Sequence, residues 1–204
     1  MKKLFIFGFG YTAQNFVRQF ENEFSEIVAY TRNKYVVENS KFSVMFLKES
    51  QIINQLLIDR FTHILISVPP DQEGDVFYIN YKEFMKKLKK IKWIGYLSAT
   101  NIYGDYKGNF VYESSKTNPS TQKGKNRLLA ENQLLSFCKE LNLPIHIFRI
   151  AGIYGPKRNL IKKIKEKTIN NIYKKNQFFS RIYIDDLVMI LKASMFKPNP
   201  FSIY

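Results

Sequence analysis

The stretch "KKLFIFGFGYTAQNF", residues 2 to 16, constrains the fold more than any other part of the chain. Lysines followed by an apolar run are how an export signal begins. An apolar run followed by glycines is how a nucleotide-binding turn begins. An export signal needs an apolar core of about 7 to 15 residues and a small-residue cleavage site. Here Leu4 to Phe7 is interrupted by Gly8 and Gly10, and Gln14, Asn15 and Arg18 follow at once. Export is therefore not expected. Gly8-Phe9-Gly10-Tyr11-Thr12-Ala13 reads G-x-G-x-x-A, between an apolar strand and a helix whose Ala13, Phe16, Val17 and Phe20 share one face. In that setting Gly8 permits the tight turn, Gly10 lets the backbone approach a pyrophosphate, and Ala13 lets helix and strand pack closely. The helix start then presents free N–H groups and a positive dipole end to phosphates. The alternative is a glycine-rich turn that binds nothing.

Beyond the turn, apolar strands alternate with amphipathic helices. Strands are expected at Leu4–Phe7, Glu26–Thr31, Ser43–Leu47, in "THILISVPP" up to Pro69 and Pro70, in "KWIGYLS", in "PIHIFRI" and in "SRIYI". Helices are expected at Tyr11–Glu21, Glu49–Ile58, Asp75–Lys90, from about Ser120 to Leu141, from about Leu160, and at Asp185–Phe196, with polar loop at Lys34–Ser40 and before Ser120. "NPFSIY" reads as the beginning of one more strand. Alternation of this kind gives a parallel sheet covered on both faces, and the strands are apolar throughout, as doubly covered strands must be. The fold class is therefore α/β, a doubly wound parallel sheet, in one domain over residues 1–204. No repeat, linker or apolar run of about 20 residues interrupts it.

The charge of +15 admits an anionic partner. Its densest clusters, "FMKKLKKIKW" and "LIKKIKEK", interleave lysine with apolar residues at helical spacing, which is how a solvated helix face looks. A nucleic acid is thus the disfavoured partner, while a phosphorylated small ligand would suit the same field. The single cysteine, Cys138, lies in a leucine-rich helix, which fits packing and a reducing compartment, the cytoplasm. His63 and His146 lie on strands and supply no metal-ligand spacing, so no metal is expected. Asp185 and Asp186 precede the apolar run "LVMILKA", where a helix cap with dipole-favoured acids explains them.

A dinucleotide site that prefers NAD usually places an acid at the end of the second strand, bonded to the ribose 2′-hydroxyl. Here that strand ends Ala29-Tyr30-Thr31-Arg32. Arg32 could pair with a 2′-phosphate, which favours NADP(H) over NAD(H), or it is an exposed surface arginine.

The glycine turn followed in order by "ISVPP", "YLSATNIYG", "RLLAEN", "FRIAGIYGP" and "RIYIDD" resembles the short-chain dehydrogenase/reductase superfamily, in its extended or atypical branch of NAD-dependent epimerase/dehydratase type. The likeness spans nearly the whole chain and implies a Rossmann-like fold, an NAD(P) cofactor and a small carbonyl compound or nucleotide sugar as substrate; a homodimer is a possible assembly, and no membrane partner is expected. It also adds Ser67 and Pro69 of "ISVPP" to the expected cofactor contacts. In that family a Ser or Thr after the fifth strand and a Tyr-x-x-x-Lys pair carry the chemistry, often with a glutamate four residues after the lysine. This chain has the glutamate, Glu131, but counting back gives Arg127 in place of lysine, Lys123 in place of tyrosine, and Ala99, flanked by Ser98 and Thr100, at the Ser/Thr position. The candidate catalytic residues are accordingly Thr100, Lys123 and Arg127. Arg127 would hold ribose hydroxyls, since an arginine does not release a proton near neutrality. Lys123 would serve as acid/base only if burial lowered its pKa. Tyr103 of the "YG" turn is a distant substitute, and Arg149 matches a position where extended members often carry arginine. Extended members also build a substrate lobe from later segments, and only about residues 151–180 are expected to supply such elements here. Three readings follow: an oxidoreductase or sugar-nucleotide epimerase/dehydratase, a non-catalytic NADP(H)-binding regulatory module, and a basic nucleic-acid-binding protein.

Overall fold

The structure is a computed structural model that describes residues 2–32, 43–46, 59–159, 164–165, 178–196 and 198–204. The expected loop at 34–40, the helix at 49–58 and nearly all of the Lys-rich helix from about 160 lie outside those residues.

Strands β1 (Lys3–Phe7), β2 (Glu26–Thr31), β3 (Ser43–Phe46), β4 (His63–Ile66), β5 (Trp93–Ala99), β6 (Ile145–Ile150) and β9 (Ser202–Ile203) form one sheet in the order β3-β2-β1-β4-β5-β6-β9. Every neighbouring pair is parallel. The strand order reverses between β1 and β4, so their carboxyl ends open a crevice, the place where such sheets bind ligands. A second pair, β7 (Gly152–Tyr154) with β8 (Arg181–Tyr183), stands apart from the main sheet. The strand β7 was not expected, because three residues are too few to show a period.

Alternation along the strands divides the apolar core in two. Phe5, Phe7, Ile64, Ile66, Ile94, Tyr96, Ile145 and Ile147 face helices α2 (Val76–Met85) and α3 (Gln122–Glu140). Leu4, Ile6, Ile27, Leu65, Trp93, Leu97 and Phe148 face α1 (Tyr11–Phe20) and α4 (Ile184–Phe196). Burial on both faces is why the strands carry no polar alternation. Helix α3 starts where the Thr121 hydroxyl accepts the Gly124 N–H at 3.1 Å, and α2 where Asp75 Oδ1 accepts the Tyr78 N–H at 2.7 Å. Helix α2 ends at Met85 rather than Lys90 because its last turn tightens: Lys87 N–H bonds Phe84 O at 2.9 Å and Leu88 N–H bonds Met85 O at 3.2 Å. The expected C-terminal strand is present as β9. Its extension is fixed by Tyr204, whose N–H bonds Ile147 O at 2.9 Å and whose ring stacks 5.2 Å from Phe148.

Candidate functional site

The turn from β1 to α1 lies at the mouth of that crevice. Gly8 has φ +101°, and a Cβ there would lie 2.8 Å from Val68 Cγ1 and 2.9 Å from Val68 N. Both backbone conformation and close approach therefore require glycine. The turn is pinned on two sides: Gly8 N–H donates to Tyr30 O at 2.9 Å, and the Ser67 hydroxyl donates to Gly8 O at 2.7 Å. Gly10 differs. Its φ of −86° and ψ of −170° suit any residue, and a Cβ would meet nothing within 4 Å. Gly10 caps α1 without any side-chain hydrogen bond. Gly10 is exposed, and among the described residues no side chain caps the first N–H groups of α1. Phe9, Thr12 and Ala13 are buried, Ala13 completely, against the sheet. Tyr11 is half-buried and its hydroxyl donates to Pro156 O at 2.8 Å. Arg32 is exposed just beyond β2, Ser67 is half-buried after β4, and Pro69 is exposed.

A second group of polar side chains lies where β5 and β6 end, on the α3 side. The Ser98 hydroxyl donates to Glu131 Oε1. Glu131 Oε2 accepts from Arg149 Nη2 at 3.0 Å and Nε at 3.2 Å. The same arginine donates through Nη1 to the Tyr103 hydroxyl at 3.0 Å and to Glu113 O at 2.8 Å. The pair is buried, with side-chain exposures of 3% for Glu131 and 8% for Arg149. One turn earlier on α3, Arg127 donates through Nη1 to Leu97 O at 2.5 Å and is half-buried. Lys123 stands exposed at the start of α3, without the burial that an acid/base role required of it. Thr100 is half-buried in the short 3-10 turn Thr100–Ile102 that follows β5. Helix and strand thus bring Arg127, Ser98 and Glu131 together, and leave Lys123 at the rim.

Two neighbours of Arg127 carried no sequence signal of their own. Asp75 is fully buried, and burial pushes its carboxyl up to about 6 against hydrogen bonds from the Tyr78 and Phe77 backbone and the charge of Arg127. Tyr96, two residues before Ser98 on β5, is fully buried, and burial pushes its phenol well above the usual value. Neither Asp75 Oδ2 nor Tyr96 Oη has a hydrogen-bond partner among the described residues. In sequence Asp75 reads as a helix start and Tyr96 as core, and both readings are correct as far as they go. Among the described residues no three His, Cys, Asp or Glu side chains gather as a metal site. Burial pushes both His63 and His146 down to about 4. No described helix is long and apolar enough to cross a membrane.

No family model matches the chain. Over 153 residues it is 27% identical to dTDP-D-glucose 4,6-dehydratase of Dictyostelium discoideum, covering 65% of this chain and 35% of that protein. It therefore spans about a third of the curated relative it matches. Its whole length superposes on a conserved protein of unknown function from Silicibacter pomeroyi, with a TM-score of 0.89, 34% identity and 71% of that chain covered. It also superposes on dTDP-glucose 4,6-dehydratase from Bacillus anthracis str. Ames in complex with NAD, with a TM-score of 0.80, 16% identity, and 100% and 74% of the two chains covered. The chain shares a Rossmann-like α/β fold with these solved structures. Lys123 and Arg127 of α3 are its departures from the Tyr-x-x-x-Lys pattern of the family it resembles.

Proposed function

We propose that this chain is a member of the extended short-chain dehydrogenase/reductase type that binds a nicotinamide dinucleotide at Gly8–Ala13, NADP(H) in preference to NAD(H), and acts on a carbonyl group of a small molecule such as a nucleotide sugar. Gly10 carries the reading. Neither its backbone angles nor its packing asks for glycine, yet it occupies the one place where a side chain would stand before the open start of α1. A glycine that the folded chain does not need is accounted for by a group that must come close, and the uncovered N–H groups behind it suit a pyrophosphate. The Bacillus anthracis dehydratase of the same fold was crystallised with NAD. Arg32 supplies a cation where the second strand would otherwise offer an acid to the ribose 2′-hydroxyl. Ser67, whose hydroxyl is bonded to Gly8 O, and Pro69 would add cofactor contacts, Arg127 would hold ribose hydroxyls with the N–H groups that Leu97 does not engage, and Thr100 would polarise the carbonyl. When bound, the nicotinamide supplies or accepts the hydride.

One observation favours a second reading, in which the chain binds the dinucleotide as a regulatory module without turnover. The Ser98 hydroxyl is committed to Glu131 and Lys123 is exposed, so the usual proton donor has no replacement of equal quality. Calorimetry with NADP(H) and NAD(H) on the wild type and on Gly10→Val tests what the two readings share. The variant should keep its melting temperature without ligand and lose binding. With it goes the roughly 2.7 kcal/mol of stabilisation that ligand at about 100 times its Kd gives the wild type. Unchanged binding in a folded Gly10→Val protein would move the dinucleotide elsewhere. Turnover against a panel of carbonyl compounds and nucleotide sugars then separates enzyme from module.

A further inference from the structure

The turn at residues 155–158, far along the chain from the glycine turn, is built against it. Gly155 is buried, and a Cβ there would lie 2.7 Å from the Tyr11 hydroxyl and 2.5 Å from Ile184 Cγ2. Tyr11 in turn donates its hydroxyl proton to Pro156 O at 2.8 Å. Gly155 and Arg158 exchange two backbone hydrogen bonds, each 3.0 Å, and Lys157 between them holds φ at +62°. Closed in this way, the turn lays the Arg158 guanidinium over the Tyr11 ring, 5.4 Å from its centroid. Tyr11 is the first residue of α1. A cation is therefore held beside the open helix start on a rigid aromatic shelf. Stacking uses the face of the guanidinium and leaves its N–H edge free to donate. Among the described residues no carboxylate pairs with Arg158. Its charge also reaches Tyr11, where it works against the upward push of burial on the phenol.

We infer that Arg158, shelved on Tyr11, is a positioning residue for the dinucleotide's pyrophosphate and clamps it against the start of α1. The inference rests on the dinucleotide reading of the Gly8–Ala13 turn and adds to it Arg158, from the segment expected to contribute to the substrate side. The division of labour is chemical. Arg32, beyond β2, would meet a 2′-phosphate that only NADP(H) carries. Arg158 would meet a diphosphate that NADP(H), NAD(H) and ADP-ribose all carry. Because Tyr11 also holds Pro156, the clamp ties the cofactor turn to the segment that follows β7.

The test is calorimetric binding of NADH, NADPH and ADP-ribose to the wild type, Arg158→Ala, Arg158→Lys, Tyr11→Leu and Arg32→Ala, at low and at physiological salt. Arg158 is exposed, so its variants should fold, and unchanged melting temperatures without ligand check this. Arg158→Ala should weaken all three ligands by a common factor of about ten, the size of one charge-assisted contact. It should also flatten the salt dependence, which a packing defect would not do. Arg158→Lys should recover part of the loss. Tyr11→Leu removes the shelf and should lower affinity in the same sense, with Arg158→Ala adding little in that background. Arg32→Ala should weaken NADPH alone. Unchanged affinities in Arg158→Ala, with wild-type binding intact, overturn the clamp and leave the dinucleotide reading standing. A loss confined to NADPH also overturns it, by assigning Arg158 to the 2′-phosphate. A wild type that binds none of the three ligands removes the reading and the clamp together.

Discussion

Replacing Asp75 by asparagine should stabilise the protein at neutral pH. The carboxyl is fully buried at the head of α2, with Oδ1 accepting the Tyr78 N–H at 2.7 Å and Oδ2 without a partner among the described residues. Burial is the largest influence and raises its pKa from 3.8 to about 6. The backbone hydrogen bonds and Arg127 resist that rise, and Asp71 adds to it. The rise is about two units, each worth about 1.4 kcal/mol, so ionising Asp75 costs the folded state about 3 kcal/mol. The sign follows from proton counting. Between about pH 4 and 6 the folded protein holds a proton that the unfolded chain has released, so stability falls as pH rises through that window. Below it the contribution of the protonated acid is fully present, and above it the whole penalty applies. Asparagine keeps the oxygen that caps α2 and cannot ionise. Urea denaturation of wild type and Asp75→Asn at intervals from pH 4 to pH 8 reads the difference. The advantage of Asp75→Asn should grow by about 3 kcal/mol between pH 4 and pH 7 and then level off. Parallel pH profiles for the two proteins would refute the buried-carboxylate argument. A difference that grew toward acid pH would reverse its sign.

Three shorter expectations follow from the same geometry. Arg32→Ala should erase most of any preference for NADPH over NADH, a difference of about ten-fold or more from one charge-assisted contact, and equal wild-type affinities would already contradict the role given to Arg32. Glu131→Ala strands the Arg149 charge at 8% side-chain exposure and should cost about 3–5 kcal/mol by urea denaturation, so a loss below about 1 kcal/mol would mean that the pair is not buried in solution. Arg127→Ala should weaken dinucleotide binding through the lost ribose contact while Lys123→Ala, at an exposed position, leaves it unchanged; calorimetry on both variants decides.

The legible parts of this chain were those written in local patterns. Strands β1, β2, β4, β5 and β6 announce themselves as unbroken apolar runs between polar stretches, since a strand buried on both faces has no room for anything else. The glycine turn was legible because two constraints coincide within six residues, a strand ending and a helix beginning. The helix boundary at Met85 was not, because the lysines after it are as good in a helix as in a tightened last turn. Nor was the burial of Asp75. A capping acid looks the same in sequence whether its second oxygen reaches water or not. The meeting of Tyr11 with Arg158 joins residues from opposite ends of the chain, and no spacing rule connects them. Glu131 and Arg149 fall between these cases. Each was visible as a family position, but their bond depends on the register of β5 against β6, which places Ser98 beside Arg149.

That register also bears on the chemistry at the end of β5. A hydroxyl there polarises a carbonyl only if its own proton is free to donate outward. Ser98 gives its proton to Glu131 Oε1, and the other oxygen of Glu131 accepts from the guanidinium of Arg149. Tyr103 receives a hydrogen from Arg149 and is only 5% exposed, so its phenol is turned into the same buried group. Arg127 is bonded to Leu97 O. Ser98, Glu131, Arg149 and Tyr103 are thus committed to one another, which leaves Thr100 and the exposed Lys123 as the candidates for the missing tyrosine's role. Acid/base help contributes about 10² to 10⁴-fold to reactions of this class. A wild-type protein that binds the dinucleotide yet reduces carbonyl compounds slower by a factor in that range is the expected result. Rapid turnover unaffected by Lys123→Ala would place the proton donor outside the β5–α3 corner altogether.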